Sequence, residues 1–195
     1  GVSLQNRYGI AGMHLRGAKS DLTAKKSWFM FTDEIYCLGA GISMSENRKV
    51  ETIVEQRAIN KGWYVDGEEG TAKLCYEVLY TNPKYAYINE VGGYYFPEPC
   101  KLATYLESNF SYSLYFDHGR APQNKTYAYA LLPQMSLEET QAYANRAPVM
   151  ILANTDSVQG VFHKDLGIWG VNFFGGGTCG TISCDRDASL MCRHS

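Results

Sequence analysis

Long apolar runs are missing from this chain of 195 residues: none approaches the roughly 20 residues a membrane-crossing helix needs, so no membrane partner is expected. An excess of charge of either sign is missing too. The 18 Lys and Arg against 20 Asp and Glu give a formal net charge of −2. Nucleic-acid binding requires a basic face that displaces counterions, and that balance argues against one. It also provides no global attraction for an anionic polysaccharide. Histidine is scarce, with only four residues. There is no His-Glu-x-x-His, no nucleophile elbow, no phosphate loop and no Cys-x-x-Cys, so neither a metal nor a cofactor is expected. The opening GVSLQNRYGIAG has no charged-then-apolar leader and does not read as a signal peptide; a processed or excised chain would look the same.

Aromatics and glycine are plentiful instead. Fifteen Tyr, eight Phe, three Trp and nineteen Gly suit short strands and tight turns better than a helical bundle. The length suffices to bury roughly 70% of the unfolded surface without a disulfide or metal, and one domain over 1–195 is the simplest expectation. Of six cysteines, Cys37, Cys75 and Cys100 sit beside apolar strand-like runs and read as buried small hydrophobes. Cys179, Cys184 and Cys192 cluster near the end, and one or two disulfides are compatible with secretion.

The stretch from Lys25 to Ile42 organises the rest. Ser27 to Thr32 and Ile35 to Leu38 read as two strands about an Asp33-Glu34 turn, apolar enough to be covered on both faces. Lys49 to Ala58 alternates as a strand with Val50, Thr52 and Val54 on one face and Glu51, Ile53 and Glu55 on the other. Gly62 to Gly70 reads as a loop. Strands are expected from Leu74 to Tyr80, Tyr85 to Asn89 and Tyr112 to Phe116, the last entering a turn at Asp117-His118-Gly119. Ser136 to Asn145 is the one helix, with Ser136 and Glu139 placed as a capping box. Five short strands, Val149 to Leu152, Val158 to His163, Gly167 to Phe174, Cys179 to Cys184 and Ser189 to Cys192, complete the pattern.

Several of these segments resemble polysaccharide lyase family 8, the hyaluronate, chondroitin AC and xanthan lyases. The matching pieces are Lys26-Ser27-Trp28-Phe29, Asp33-Glu34-Ile35 and Leu38-Gly39-x-Gly41-Ile42. Val50-Glu51-Thr52 before Glu55-Gln56-Arg57 follows at the family's spacing, and Gly93-Tyr94-Tyr95-Phe96-Pro97 further on. Asp117 to Leu132 and the helix bearing Leu137-Glu138-Glu139-Thr140 complete the resemblance, which spans about residues 10–190. It implies an all-β fold, an antiparallel β-sandwich of the galactose-mutarotase-like super-sandwich type with one short helix. It also implies an extracellular enzyme that cleaves by β-elimination. The Asn, His, Tyr and Arg doing that chemistry in the family belong to a helical domain preceding the β domain. None of those motifs occurs here, so no catalytic residue is carried over. The helical domain and a small terminal sandwich are expected outside this chain, the former as its partner.

The expected role is therefore a scaffold or carbohydrate-contact module; the alternative is a free-standing, lectin-like carbohydrate-binding protein. Candidate glycan contacts are Trp63 and Tyr64, an aromatic pair beside acids, together with Tyr94 and His118, though each has a packing or turn-stabilising reading as well. Asn109 and Asn124 lie in N-glycosylation tripeptides. Arg16, Lys19, Lys25 and Lys26 form one local basic stretch, either a solvated rim or a ligand contact. Trp28 and Trp169 read as core. His14 and His163 read as structural, without nearby partners.

Overall fold

The computed structural model describes residues 1–58, 62–70, 74–107 and 111–193. Asn109 and His194 lie outside the described residues. The chain forms two compact units: Gly1–Glu46, Pro122–Ala130 and Ala147–Ser195 make the first, Asn47–Ala121 and Leu131–Arg146 the second.

The first unit opens with β1 (Val2–Leu4), β2 (Tyr8–Arg16), β3 (Thr23–Met30) and β4 (Ile35–Ser43). The second holds β5 (Lys49–Ala58), β6 (Trp63–Val65), β7 (Glu68–Glu69) and β8 (Tyr76–Thr81). It continues through β9 (Tyr85–Ile88), β10 (Gly92–Tyr95), β11 (Lys101–Leu106) and β12 (Ser111–Arg120). Strand β13 (Lys125–Pro133) runs from the first unit into the second, where α1 (Leu137–Arg146) follows. The first unit closes with β14 (Val149–Asn154), β15 (Val158–His163), β16 (Ile168–Phe173), β17 (Gly177–Cys179), β18 (Ile182–Cys184) and β19 (Ala188–Arg193). All pairings with a described register are antiparallel. The all-β sandwich class expected from the sequence is what the chain adopts.

In the first unit, β1-β2-β3-β4-β13 forms one layer and β14-β15-β16-β19 the other. Alternation along the hairpin sends Ser27, Phe29, Tyr36, Leu38 and Ala40 inward, all essentially buried. The hairpin is the one expected, but its turn is displaced. Phe31 N donates to Glu34 O at 2.9 Å, which centres the turn on Thr32-Asp33 and leaves Glu34 to point inward. Glu34 meets His163 Nε2 at 2.9 Å, and the Phe31 ring stands edge-on to the imidazole at 4.9 Å. His163 thus has a partner that its strand context did not reveal. Gly39 stays within β4 instead of ending it: the Tyr127 ring occupies the space a Cβ would need. Trp28 and Trp169 are half-buried, because both project from the sheet faces turned away from the interior.

Between the two layers lies a polar node. Ser27 Oγ donates to Gln159 Oε1 at 2.5 Å, and Asn172 Nδ2 donates to Ala11 O and Ser27 Oγ at 2.9 Å each. Ser189 Oγ donates to Asn172 Oδ1 at 2.6 Å, and Gln159 Nε2 reaches Lys25 O at 3.1 Å. Ser27, Gln159 and Asn172 are buried, so each bond satisfies a group that water cannot reach.

In the second unit, β5-β12-β11-β8 packs against one face of β10-β9-β6-β7, with Phe96 against Phe116 at 5.9 Å and Trp63 against Tyr112 at 4.8 Å. Helix α1 covers the other face. Its Thr140 fills the space over Gly93 and its Tyr143 stands edge-on to Tyr95 at 5.6 Å. The capping box is present: Ser136 N donates to Glu139 Oε2 at 2.8 Å, and Glu139 N to Ser136 Oγ at 3.1 Å. Two segments depart from the sequence reading. The Gly62–Gly70 loop is the β6-β7 hairpin, closed by Gly70 N to Trp63 O at 2.8 Å. The Asp117-His118-Gly119 turn is a bulge inside β12, where Gly119 at φ +79 donates to Asp117 Oδ1 at 2.8 Å. All six cysteines are free, so no disulfide forms among them; of the three expected to be buried, Cys37 is buried, Cys100 is half-buried and Cys75 is exposed, while Cys179 of the terminal cluster is buried. Burial pushes the Cys37 thiol up to about 12, which keeps it neutral.

Asn172→Leu should lower stability by about 1–3 kcal/mol, since Ala11 O and two hydroxyls lose their buried partner. Ser136→Ala, losing only an exposed cap, should cost about 1 kcal/mol. Urea unfolding of both variants checks the order; equal losses would contradict it.

Candidate functional site

Candidate residues of the second unit separate into an interior cluster and a surface groove. A bulge decides which residues enter the cluster. Leu114 pairs with Glu55 and Tyr115 with Ile53, so Val54 is the extra residue and the alternation shifts by one. Glu55, expected beside Glu51 and Ile53, turns instead to the inner face opposite Leu114. There its Oε2 accepts from Tyr94 Oη at 2.7 Å and from Arg57 at 2.8 Å.

Of the sequence candidates, Trp63 and Tyr94 lie inside this cluster and not on the surface. Trp63 is 5% exposed, since its alternate position in β6 faces the β5-β12-β11-β8 sheet and Gly70 leaves room for its indole. An exposed Trp63-Tyr64 platform is therefore not formed. Tyr64, on the opposite face of β6, is half-buried beside Tyr87 at 6.2 Å. His118 is separate from these. It sits in β12 with Nε2 2.8 Å from Thr52 Oγ1 and its ring stacked along Phe116 at 6.5 Å. Asn124 belongs to the first unit and is exposed in a left-handed backbone conformation (φ 49) just before β13.

Charge states follow from the surroundings. Burial alone would raise the Glu55 carboxyl, but hydrogen bonds from Arg57 and Tyr94 outweigh it and hold the group below its ordinary 4.5. Burial, then the Glu55 hydrogen bond, drives the Tyr94 phenol far up. Tyr94 is accordingly a proton donor in a fixed hydrogen bond and Glu55 an ionised acceptor. Neither is poised to take or give a proton near neutrality.

The outer face of β5-β12-β11-β8 carries the groove, of about 330 Å3. Ile53, Tyr115, Ala103 and Leu79 form one row across the four strands, and Ile53 (44%) and Leu79 (68%) are exposed. Beside this row Lys49 contacts Glu51 at 2.8 Å, Asp117 at 3.3 Å and Glu77 at 3.4 Å, and stands over the Tyr115 ring at 5.1 Å. Tyr115 Oη also donates to Glu77. The hydrogen bond to Glu51 is the largest of several effects raising the Lys49 ammonium. With Glu107 also at its wall the groove is net acidic, suited to accept sugar hydroxyls but not to hold a uronate carboxylate. Nothing in the sequence marks this arrangement except the β5 alternation itself, since it depends on register.

Comparison with known proteins accords with this architecture. The model described as polysaccharide lyase family 8, super-sandwich domain matches residues 1–110. This chain belongs to polysaccharide lyase family 8. A second model, the family 8 C-terminal β-sandwich domain, matches residues 150–195. The small terminal sandwich, expected wholly outside the chain, is therefore represented within it. The family 8 segment is 32% identical to the xanthan lyase of Bacillus sp. (strain GL1), over 98% of this chain and 24% of that protein. It is 26% identical to a hyaluronate lyase of Thermasporomyces composti, over 99% of this chain and 28% of that protein. Against the solved Paenibacillus xanthan lyase, 98% of the segment superposes on 22% of that chain with a TM-score of 0.91 and 32% identity. The segment thus spans about a quarter of the length of these relatives.

The lowered Glu55 carboxyl sets a pH dependence. A group depressed on folding contributes stability above its unfolded value, about 4.3, and loses it as pH falls through the folded value. Carboxyl NMR should show the Glu55 midpoint below 4.5 and moving up in Tyr94→Phe. An unchanged midpoint in that variant would remove the hydrogen bond as a cause.

Proposed function

We propose that the segment is a non-catalytic β module of an extracellular polysaccharide lyase, a scaffold that also contacts the polysaccharide. The observation carrying this reading is the alignment of nearly the whole segment with about a quarter of a xanthan lyase, at 32% identity. The acids and phenols within the second unit support it. Glu55 is held ionised and Tyr94 and Tyr115 are held neutral. A β-elimination needs a base for the C5 proton and an acid for the leaving oxygen; the lowered Glu55 carboxyl is a weakened base and the raised Tyr94 and Tyr115 phenols are weakened acids, poorly matched to either task. On this reading, the elimination is performed by groups of the helical domain that the family resemblance implies, joined to this segment in the longer protein.

Xanthan, hyaluronan and chondroitin should each be incubated with the purified chain and followed by the absorbance of unsaturated products. The expected result is no product above buffer. Sustained, enzyme-dependent product would overturn the scaffold reading. Tight binding of a neutral glycan on an array, with no affinity for the three polymers, would instead favour the lectin-like alternative.

A further inference from the structure

One residue of the basic stretch noted in the sequence, Lys25, lines a pocket in the first unit. The pocket, of about 400 Å3, opens beside the β2-β3-β4 strands, a size that accommodates one or two sugar residues. His14 and Lys25 stand opposite each other in the β2-β3 register. Thr23 and Ser43 add hydroxyls from β3 and β4, Asn124 adds an amide, and Asp156 closes the far wall.

The backbone builds this concavity deliberately. The β3-β4 register shifts between Thr23 and Lys25, and across from that shift Gly41 adopts φ +63. A Cβ on Gly41 would lie 2.9 Å from Asp156 Cβ, so glycine keeps the floor open. Asn124 is fixed by its own N–H, which donates to Ser43 Oγ at 2.9 Å. Lys25 is fixed at both ends: its carbonyl accepts from buried Gln159, and its ammonium lies 5.3 Å from the centre of the Phe174 ring.

The charges at and beside the pocket balance in number, Lys25 and Arg16 against Asp156 and Asp187. Among the described residues, neither Lys25 nor Arg16 has a carboxylate within ion-pair distance. Desolvation, then the Lys25 and Arg16 charges, lower the His14 imidazole, while Asp187 opposes them. The pocket offers an ammonium that lies beside the Phe174 ring without a carboxylate partner, and a hydroxyl-accepting carboxylate. That division matches a sugar bearing one carboxylate and several hydroxyls: the carboxylate would take a charge-assisted bond from Lys25, the hydroxyls would donate to Asp156 and exchange bonds with Thr23, Ser43 and Asn124.

We propose that this pocket binds a single carboxylate-bearing sugar residue of an acidic polysaccharide. The proposal rests on the reading of the chain as part of a polysaccharide-handling protein, and it assigns the acidic sugar to the first unit, not to the groove of the second.

The test is calorimetry on the purified chain at about 0.15 M salt, with a glucuronate-containing tetrasaccharide and its carboxyl-reduced counterpart as probes. The wild-type chain should bind the acidic probe saturably and the reduced probe at least tenfold more weakly. Lys25→Met, which keeps the stem against Phe174, should weaken the acidic probe at least tenfold, and His14→Gln should weaken it less. Glu51→Gln, in the other groove, should change nothing. Thermal unfolding of Lys25→Met should match wild type. No saturable binding, equal binding of both probes, indifference to Lys25→Met, or equal displacement by dextran sulfate would each overturn the pocket. Those failures leave the scaffold reading standing, because that reading is decided separately, by unsaturated product from the chain alone or by tight binding of a neutral glycan.

Discussion

The buried amide pair Gln159 and Asn172 is the constraint on which the first unit depends. A sandwich interior is ordinarily filled by apolar side chains. Here the centre holds two amides and a hydroxyl that must find one another or each forfeit its hydration. Ser27 satisfies both amides, which fixes β3 against β15 and β16 in one register. A slip of one residue would turn Ser27 outward and strand the amides, so the network specifies the register more sharply than aliphatic packing would. Its reach extends to the surface, because Gln159 also holds the Lys25 carbonyl.

The second unit uses polarity differently. One extra residue, Val54, rotates Glu55 into the interior, and the cost of burying that carboxylate is offset by Arg57 and Tyr94. The same strand sends Lys49 and Glu51 to the outer face, where they sit among further acids. The two concave surfaces differ in charge: the groove of the second unit is acid-rich, while the pocket of the first sets one ammonium against one carboxylate. A near-neutral total charge conceals both.

What was legible in the sequence was whatever depends on local periodicity. The aromatic hairpin, the capping box at Ser136 and the all-β class follow from alternation, turn residues and cap chemistry, and the quoted motifs identified the family. What was not legible depends on partners distant in sequence. The inward turn of Glu55 requires β12 to pair across a bulge. Trp63 was read as a loop residue because Gly62 and Gly70 flank it, whereas the second glycine makes room for the buried indole. Strand β11 has no counterpart in the sequence reading, because its place is set by pairing with β12 on one side and β8 on the other. His163 gained its partner only when the turn moved and Glu34 swung inward.

The claim that the amide node closes the first unit is tested most directly by native-state hydrogen exchange on Gln159→Leu. The account predicts that backbone amides of β3, β15 and β16 lose protection together, while those of β11 and β12 keep theirs. Loss confined to the residues touching position 159, with β3 and β16 otherwise protected as in wild type, would contradict it.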